Sequence, residues 1–410
     1  MSGSIHIVIL HLSSLYPPAS VGGAERVASI LAENQAARGH DVYACSLVRE
    51  PAAPSIRNGV QVRPLRARNP LWIQESAGHA TPVRLANKVA TVFNRRVSSE
   101  FAALLDDIQP DVLHTHSMVE LPPTVWSEAA ARGVPIVHTL HDYDLLCIRG
   151  ALFKNGRKCH PRHAACRMLS GPKRALHDCI DAVAAVSRTV LDGHIDHGLF
   201  NHLSPARRRV VWNPAQVSRG APRAPRARTL PLRFGFLGRL VGEKGLGALL
   251  AACRMLPEAG WTLHIAGAGP ERARFEEQAH GLPVHFDGYV EPASFLAEID
   301  VLVCVPLWDE PFGLTTLEGY AAGCRVIGSD SGVVADMMER IEPGWTVPPG
   351  DVAALAGAMT RAMTVGGALR ARCRNAVDAL LDTLAPPVVA QTYLDLYDLV
   401  RARAPARLEA

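Results

Sequence analysis

Two carboxylates eight positions apart, in Glu310-Pro-Phe-Gly-Leu-Thr-Thr-Leu-Glu318, are the first residues in this chain whose types and spacing suggest chemistry. Pro311 and Gly313 keep Glu310 in a loop, while Glu318 falls about one turn into the helix that follows. The N–H groups of Gly313, Leu314 and Thr315 then point out of a helix N-terminus, where unpaired donors and the helix dipole favour an anion. Carboxylates flanking such an end accept from paired hydroxyls, which sugars and ribose carry. A capped surface helix with acidic residues in its first turn would show the same two glutamates, so the other motifs must decide.

The second motif is Phe236-Leu-Gly-Arg239-Leu-Val-Gly-Glu-Lys244-Gly245, with a lysine five positions after an arginine. A strand ending at Gly238 places both cations at its carboxyl end, where they can stabilise a departing diphosphate without a metal. Gly22-Gly23, after the first strand, lets a phosphate or sugar approach the backbone and the next helix N-terminus. Its spacing is not Gly-x-Gly-x-x-Gly, which disfavours a dinucleotide. In Thr139-Leu-His141-Asp142-Tyr143, His141 ends a strand. There it either hydrogen-bonds a substrate hydroxyl or is a buried structural histidine.

The elements that must position these residues read as short apolar runs alternating with amphipathic segments. Strands are expected at Ile5–Leu10, Asp41–Leu47, Asp111–His114, Pro135–Leu140 and Ala182–Val186, with a helix over Ala24–Arg38. The pattern stops near Asn213-Pro214, and Ala215–Arg228, rich in Arg, Pro, Ala and Gly, reads as a linker or exposed loop. It restarts with strands at Arg233–Leu237, Thr262–Ala266, Val284–Phe286, Val301–Val305 and Arg325–Gly328, and a helix over Gly245–Met255. The reading is an α/β chain of two doubly wound, Rossmann-like domains, 1–218 and 219–386, facing across a cleft. A last helix within 387–410 carries Tyr393, Leu394, Leu396, Tyr397 and Leu399 and is expected to pack back on the first domain. Parallel sheets bind ligands beyond the carboxyl ends of their strands, where the motifs above fall.

Composition narrows the classes. The 410 residues are 48% hydrophobic and 20% charged, with a formal net charge of +4, an ordinary globular balance. The segment 145–180 is a basic, cysteine-rich insert: Leu145–His177 holds eight Lys or Arg and no acid, and His197–Gly242 holds nine Arg and no acid. Such stretches are solvated loops or contacts for an anionic partner. Nucleic acid is disfavoured, because no stacking aromatics beyond Trp212 interleave with those arginines. No basic leader precedes the first strand and no run of 18 apolar residues exists, so the nine cysteines are expected as reduced thiols in a cytosol. Within the insert, Cys147, Cys159, Cys166 and Cys179, with His160 and His163 between them, either hold zinc or stay as thiols in an ordered loop. Thr81–Phe101 carries Arg84, Lys88, Arg95 and Arg96 among apolar residues. It is either an interfacial helix or a cover for the first core.

The motifs together resemble glycosyltransferase family 4 over nearly the whole chain, most specifically in the Glu-x7-Glu segment and the Arg239/Lys244 pair. Val211-Trp-Asn-Pro214, Ala266-Gly267-Ala268-Gly269-Pro270 and Asp287-Gly288-Tyr289-Val290 resemble the family's pre-linker segment, its glycine turn near the nucleotide, and a loop beside the base. The resemblance implies a GT-B fold, with acceptor binding in the first domain and nucleotide-sugar binding in the second. It implies a retaining transfer from a nucleotide-diphosphate sugar, UDP before GDP, to a glycan, lipid-linked saccharide or small molecule, in the setting of surface polysaccharide assembly. Glu318 would bind ribose, Glu310 the donor sugar, and Arg239 and Lys244 the diphosphate. Gly313, Leu314 and Thr315 would offer backbone donors, Gly267 and Val290 would flank the nucleotide, Gly22 and Gly23 would close the other side, and His141 would sit by the sugar. No cofactor is expected, and the location would be cytoplasmic, at the inner membrane surface. Two departures are Arg325, where the family often has Pro, and Ser331–Met338, which lacks the usual Gly-Gly start. A phosphorylase or isomerase on the same fold, or a catalytically idle sugar-nucleotide scaffold, are the rival readings.

Overall fold

The computed structural model describes residues 6–19, 22–72, 75, 79–217, 219–220, 230–367, 369 and 371–402. Ile5, most of the Arg-rich linker and residues 403–410 lie outside these.

The chain folds as two units. The first comprises Met1–Leu152, His160–Pro214 and Leu384–Ala410, and the second Phe153–Cys159 and Ala215–Thr383. In the first unit the strands are β1 (Val8–Ser13), β2 (Asp41–Val48), β3 (Ser55–Arg57), β4 (Val60–Arg66), β5 (Val112–Thr115) and β6 (Ile136–Leu140). A two-stranded ribbon of β7 (Phe153–Lys154) and β8 (Arg157–Lys158) follows and groups with the second unit. β9 (Ala182–Ala185) and β10 (Arg208–Val210) complete the first sheet, in the order β10-β9-β6-β5-β1-β2-β4-β3. All its neighbours pair parallel except β3, which runs antiparallel to β4 at the edge. The second unit holds β11 (Leu232–Leu237), β12 (Trp261–Ala266), β13 (Val284–Gly288), β14 (Val301–Cys304), β15 (Arg325–Ser329) and β16 (Thr346–Val347). These are all parallel, in the order β13-β12-β11-β14-β15-β16.

The central strands are mostly apolar because helices cover both faces of a parallel sheet, with His11, His114 and His138 among the buried polar exceptions in the first sheet. Each sheet reverses strand order at one place, between β1 and β5 and between β11 and β14. Each switch point opens a crevice at the carboxyl ends of its own sheet.

The helix Pro386–Arg401 begins with two prolines, which the first turn of a helix tolerates. It buries Val389, Ala390, Tyr393, Leu394, Leu396, Tyr397 and Val400 in one cluster with Ile9, Val27, Leu31 and Val42 of the first unit. Each fully buried side chain of this size contributes about 1.5–3 kcal/mol before entropy is counted.

Three boundaries differ from the sequence reading. The division falls after Pro214 rather than at 218, and the second unit ends at Thr383 rather than 386. Phe153–Cys159, inside the insert assigned to the first domain, belongs to the second unit. There Lys158 Nζ lies 2.7 Å from Asp309 Oδ1. The segment Thr81–Phe101 is not one helix but two, Thr81–Val92 and Arg95–Ile108. Asn94 starts the second by accepting from the N–H of Val97, a local cap that wins over helical continuity.

Candidate active site

The switch point of the second unit assembles the strongest sequence motifs. Lys244 closes the short turn Gly242–Lys244 after β11, and Glu310 lies in the loop after β14. Lys244 Nζ sits 3.0 and 2.8 Å from the two Glu310 carboxylate oxygens, and the Trp308 indole N–H donates to Glu310 Oε2 at 2.8 Å. The lysine and glutamate side chains are 24% and 14% exposed, so the pair is sheltered but reachable. Gly245, at φ +80°, makes the turn feasible. A Cβ there would lie 1.9 Å from the Val305 carbonyl oxygen, so only glycine lets Lys244 come this close to β14.

Gly313, with φ 66° and ψ 45°, caps the helix Leu314–Ala321, whose N-terminus opens on the same crevice. A small pocket here is lined by Lys244, Glu310, Gly313, Thr315, Thr316 and Val334, among others. Glu318 is half-buried in that helix. Burial pushes the Cys304 thiol up to about 12, so this wall of the pocket stays neutral.

The neighbouring loops interlock. Gly238 N–H donates to Ala266 O at 3.0 Å and Leu240 N–H to Ala268 O at 2.9 Å, which fixes the backbone on both sides of exposed Arg239. Gly267 packs so tightly that a Cβ would lie 1.9 Å from the Gly238 carbonyl oxygen. Val290 is half-buried beside fully exposed Tyr289. The structure thus brings Lys244, Glu310, Gly313 and Thr315 around one pocket, with Leu314 and Glu318 on the helix that starts there, and places Arg239, Gly267 and Val290 in the loops after β11, β12 and β13.

The first unit presents a different chemistry at its switch point. His141 follows β6, and its Nε2 lies 3.1 Å from His116 Nδ1. His116 Nε2 lies 3.0 Å from His11 Nδ1, and His11 Nε2 lies 2.7 Å from Gln35 Oε1. Desolvation pushes His141 down to about 3 and His11 to about 4, and holds His114 and His116 well below the usual imidazole range. At neutral pH all four are uncharged. Asp142, next to His141, is raised by burial and by the Asp144 carboxylate, while Asp144 is held low through Lys173 at 3.0 Å. Asp142, Asp144 and Lys173, with Lys88, Arg149 and Ser170, line a second pocket.

Gly22 is the N-cap of the helix Gly23–Ala36 and supplies no side-chain cap to its first N–H groups, while its own N–H donates to Glu25 Oε2 at 3.0 Å. Nothing lies within 4 Å of a Cβ placed on Gly23, so the fold leaves room there rather than requiring glycine. The four insert cysteines do not converge on an ion. Among the described residues, the groupings with metal-ligand spacing are His11/His114/His116 and His177/Asp178/His202, and neither includes a cysteine. Cys147 sits in a turn, Cys166 on the helix Ala164–Leu169 and Cys179 on a separate short turn, while Cys159 belongs to the second unit.

The helix Thr81–Val92 is turned inside out relative to an ordinary surface helix. Asn87 and Thr91 are buried, and Lys88 Nζ reaches buried Glu120 at 2.8 Å. Its apolar residues Val83, Leu85 and Val89, with Phe93, face solvent beside exposed Arg84, Arg95 and Arg96. Among the described residues no helix is long and apolar enough to cross a membrane.

Comparison with known proteins completes the picture. Residues 21–219 match the family model described as Glycosyltransferase Family 4, and residues 231–364 match that of Glycosyl transferases group 1. The chain is 26% identical to an uncharacterized 42.6 kDa protein in the cps region of Klebsiella pneumoniae, over 82% of this chain and 88% of that one. It is 29% identical to the phosphatidyl-myo-inositol mannosyltransferase of Mycobacterium leprae, over 92% of this chain and 93% of that one. Among solved structures, sucrose-phosphate synthase from Thermosynechococcus elongatus superposes with a TM-score of 0.72 at 20% identity, covering 96% of this chain and 99% of that one.

Proposed function

Because this chain belongs to the family 4 type of glycosyltransferases and has their GT-B fold, we propose that it moves a sugar, with retained anomeric configuration, from a nucleotide diphosphate to a glycan or lipid-linked hydroxyl. The observation that carries this reading is the Lys244–Glu310 contact at the β11/β14 switch point, beside a helix N-terminus. Without donor, each group neutralises the other. An arriving diphosphate competes for Lys244, and the released Glu310 carboxylate can accept from sugar hydroxyls while Trp308 still orients it. Glu318 takes the ribose hydroxyls, Arg239 adds a second cation, and no resident metal is needed for the leaving charge.

The transfer proceeds on one face of the sugar. The bond from the anomeric carbon to the diphosphate oxygen breaks as the acceptor oxygen bonds to the same face, and the departing phosphate takes the acceptor's proton. His141 contacts the donor sugar. The pocket lined by Asp142, Asp144 and Lys173 is the acceptor side. The exposed Val83, Leu85, Val89 and Phe93, beside Arg84, Arg95 and Arg96, suit an anionic membrane surface carrying a lipid-linked acceptor. The relative from a cps region and the relative that mannosylates phosphatidyl-myo-inositol support this acceptor class.

Calorimetry with UDP, GDP, ADP and dTDP tests the donor assignment. UDP should bind most tightly, GDP next, and Glu318→Ala should abolish both. Binding of none of the four would overturn the transferase reading in favour of an idle scaffold. Proton NMR of slow donor hydrolysis should show the retained anomer first, and first release of the inverted anomer would refute retention.

A further inference from the structure

Seven side chains behind His141 form one unbranched hydrogen-bond chain, each at most 1% exposed. From His141 it passes through His116, His11 and Gln35, then from Gln35 Nε2 to the Tyr397 hydroxyl at 3.2 Å and on to His114 Nδ1 at 2.6 Å. His114 Nε2 lies 2.7 Å from Thr139 Oγ1, which donates to the Tyr393 hydroxyl at 3.0 Å. The register of β1, β5 and β6 makes this possible. His11 lies opposite His114, and Leu113, His114 and Thr115 lie opposite Ile136, Val137 and His138. His11, His114 and His116 have metal-ligand spacing, but every ring nitrogen of the three already serves a link in this chain.

A neutral imidazole donates from one nitrogen and accepts at the other, so in such a chain each link fixes the next. The Gln35 carbonyl oxygen only accepts, so His11 carries its proton on Nε2 and accepts at Nδ1. His116 must then donate from Nε2 and accept at Nδ1, and His141 must donate from Nε2. On the other side the Gln35 amide donates to Tyr397, which donates to His114. His114 donates to Thr139, and no link conflicts. Turning the Gln35 amide over would reverse every link and put the His141 proton on Nδ1.

We infer that Gln35, acting through His11 and His116, is a positioning residue that holds His141 as the Nε2–H tautomer and so presents Nδ1 to the donor sugar as an acceptor of a hydroxyl hydrogen. The inference rests on the reading that His141 contacts the sugar. Tyr397, from the helix Pro386–Arg401, couples the Gln35 amide to His114, so that both halves of the chain run in one direction. A sugar with a hydroxyl at that position is thereby favoured over one that offers only an acceptor there.

Long-range proton–nitrogen NMR on the full chain with 15N-histidine reads the tautomer directly, His141 being assigned by the signal lost in His141→Ala. The expected result is a proton on Nε2 and a bare Nδ1 in the unaltered protein. In Gln35→Met and Tyr397→Phe, His141 should become a mixture of tautomers. Transfer should fall about tenfold, the equivalent of one hydrogen bond, at unchanged UDP affinity. A proton on Nδ1 in the unaltered protein overturns the inference without any variant having to fold. A His141 tautomer unmoved in folded Gln35→Met also overturns it. Full transfer activity in His141→Ala would instead overturn the sugar-contact reading beneath it and leave the tautomer result standing.

Discussion

Replacing Lys244 with alanine separates a lysine that works on the leaving group from one that merely neutralises Glu310. Its ammonium lies 2.8 Å from the nearer Glu310 oxygen in a pocket where the two side chains are 24% and 14% exposed. At an effective dielectric of about 20, a unit charge about 4 Å from a developing phosphate charge is worth about 4 kcal/mol. Part of that is already felt by the bound donor. The differential share should resemble the loss of one preorganised donor at a developing anion, about 10²–10³ in rate. Lys244→Ala should therefore lower kcat/KM by about 10²–10³ in a coupled assay of nucleotide diphosphate release, with unfolding still cooperative. The same substitution made on a Glu310→Gln background decides the cause. If Lys244 only offsets the glutamate charge, its removal there costs nothing; if it holds the leaving group, a loss of at least about tenfold persists. A kcat/KM within about threefold of the unaltered enzyme in the single variant would refute the assignment.

Acid should destabilise the first unit well above the range where carboxylates titrate. His11, His138 and His194 are held near 4 and His141 near 3, with His114 and His116 also well below their ordinary value. The unfolded chain therefore binds more protons below about pH 6.5. Stability is full above that and falls as pH drops toward 4, by up to about 1.4 kcal/mol per pH unit for each histidine. The raised Asp142 acts in the opposite sense, one carboxyl against six imidazoles. Circular-dichroism melts should show Tm level from pH 7.5 to about 6.5 and falling from there to pH 5, and a profile flat throughout would contradict the burial of neutral imidazoles. In the second unit, Glu342→Ala should cost about 3–5 kcal/mol in urea unfolding, because it takes the carboxylate away from the buried Arg325 charge, which is 3% exposed and 3.1 Å from it. A cost under about 1 kcal/mol would show that stacking on Trp345, 4.4 Å away, suffices for Arg325. Phe93→Asp, at a residue 68% exposed, should weaken binding to anionic vesicles while leaving UDP affinity intact, and unchanged vesicle binding would remove the membrane reading.

The second unit was readable because its chemistry is local. Strand, glycine, cation and helix start follow one another within ten or so residues, and a parallel sheet then brings Lys244 and Glu310 together without further instruction. Edge elements such as β3 and β10 escaped because three-residue strands have no periodicity to detect. The split at Asn94 escaped for the opposite reason: the apolar period runs through it, and only the capping side chain marks the break. The histidine chain was invisible for a third reason. His11 and His114 each sit singly in a mostly apolar strand and Gln35 in an ordinary amphipathic helix, and their meaning comes from the register of β1 against β5 and from two tyrosines near the far end of the sequence. His114-x-His116 beside a strand-end His141 was the signal that could have prompted the search. Arg325, first noted as an oddity of sequence, proves to be one half of a buried ion pair.

The return of the helix Pro386–Arg401 to the first unit has a consequence for how this protein is made. The first 214 residues leave the ribosome before Ala215–Thr383, and the helix that carries Tyr393 and Tyr397 comes after both. At about 5–20 residues per second, translation of the intervening segment takes roughly 8 to 34 s. For that interval the nascent first unit lacks one wall of its core, with Val27, Leu31, Gln35 and His114 missing the partners they have in the finished fold. Newly made chains should therefore rely on chaperones until the last helix arrives, and a ribosome stalled before residue 386 should hold a first unit that proteases cut readily.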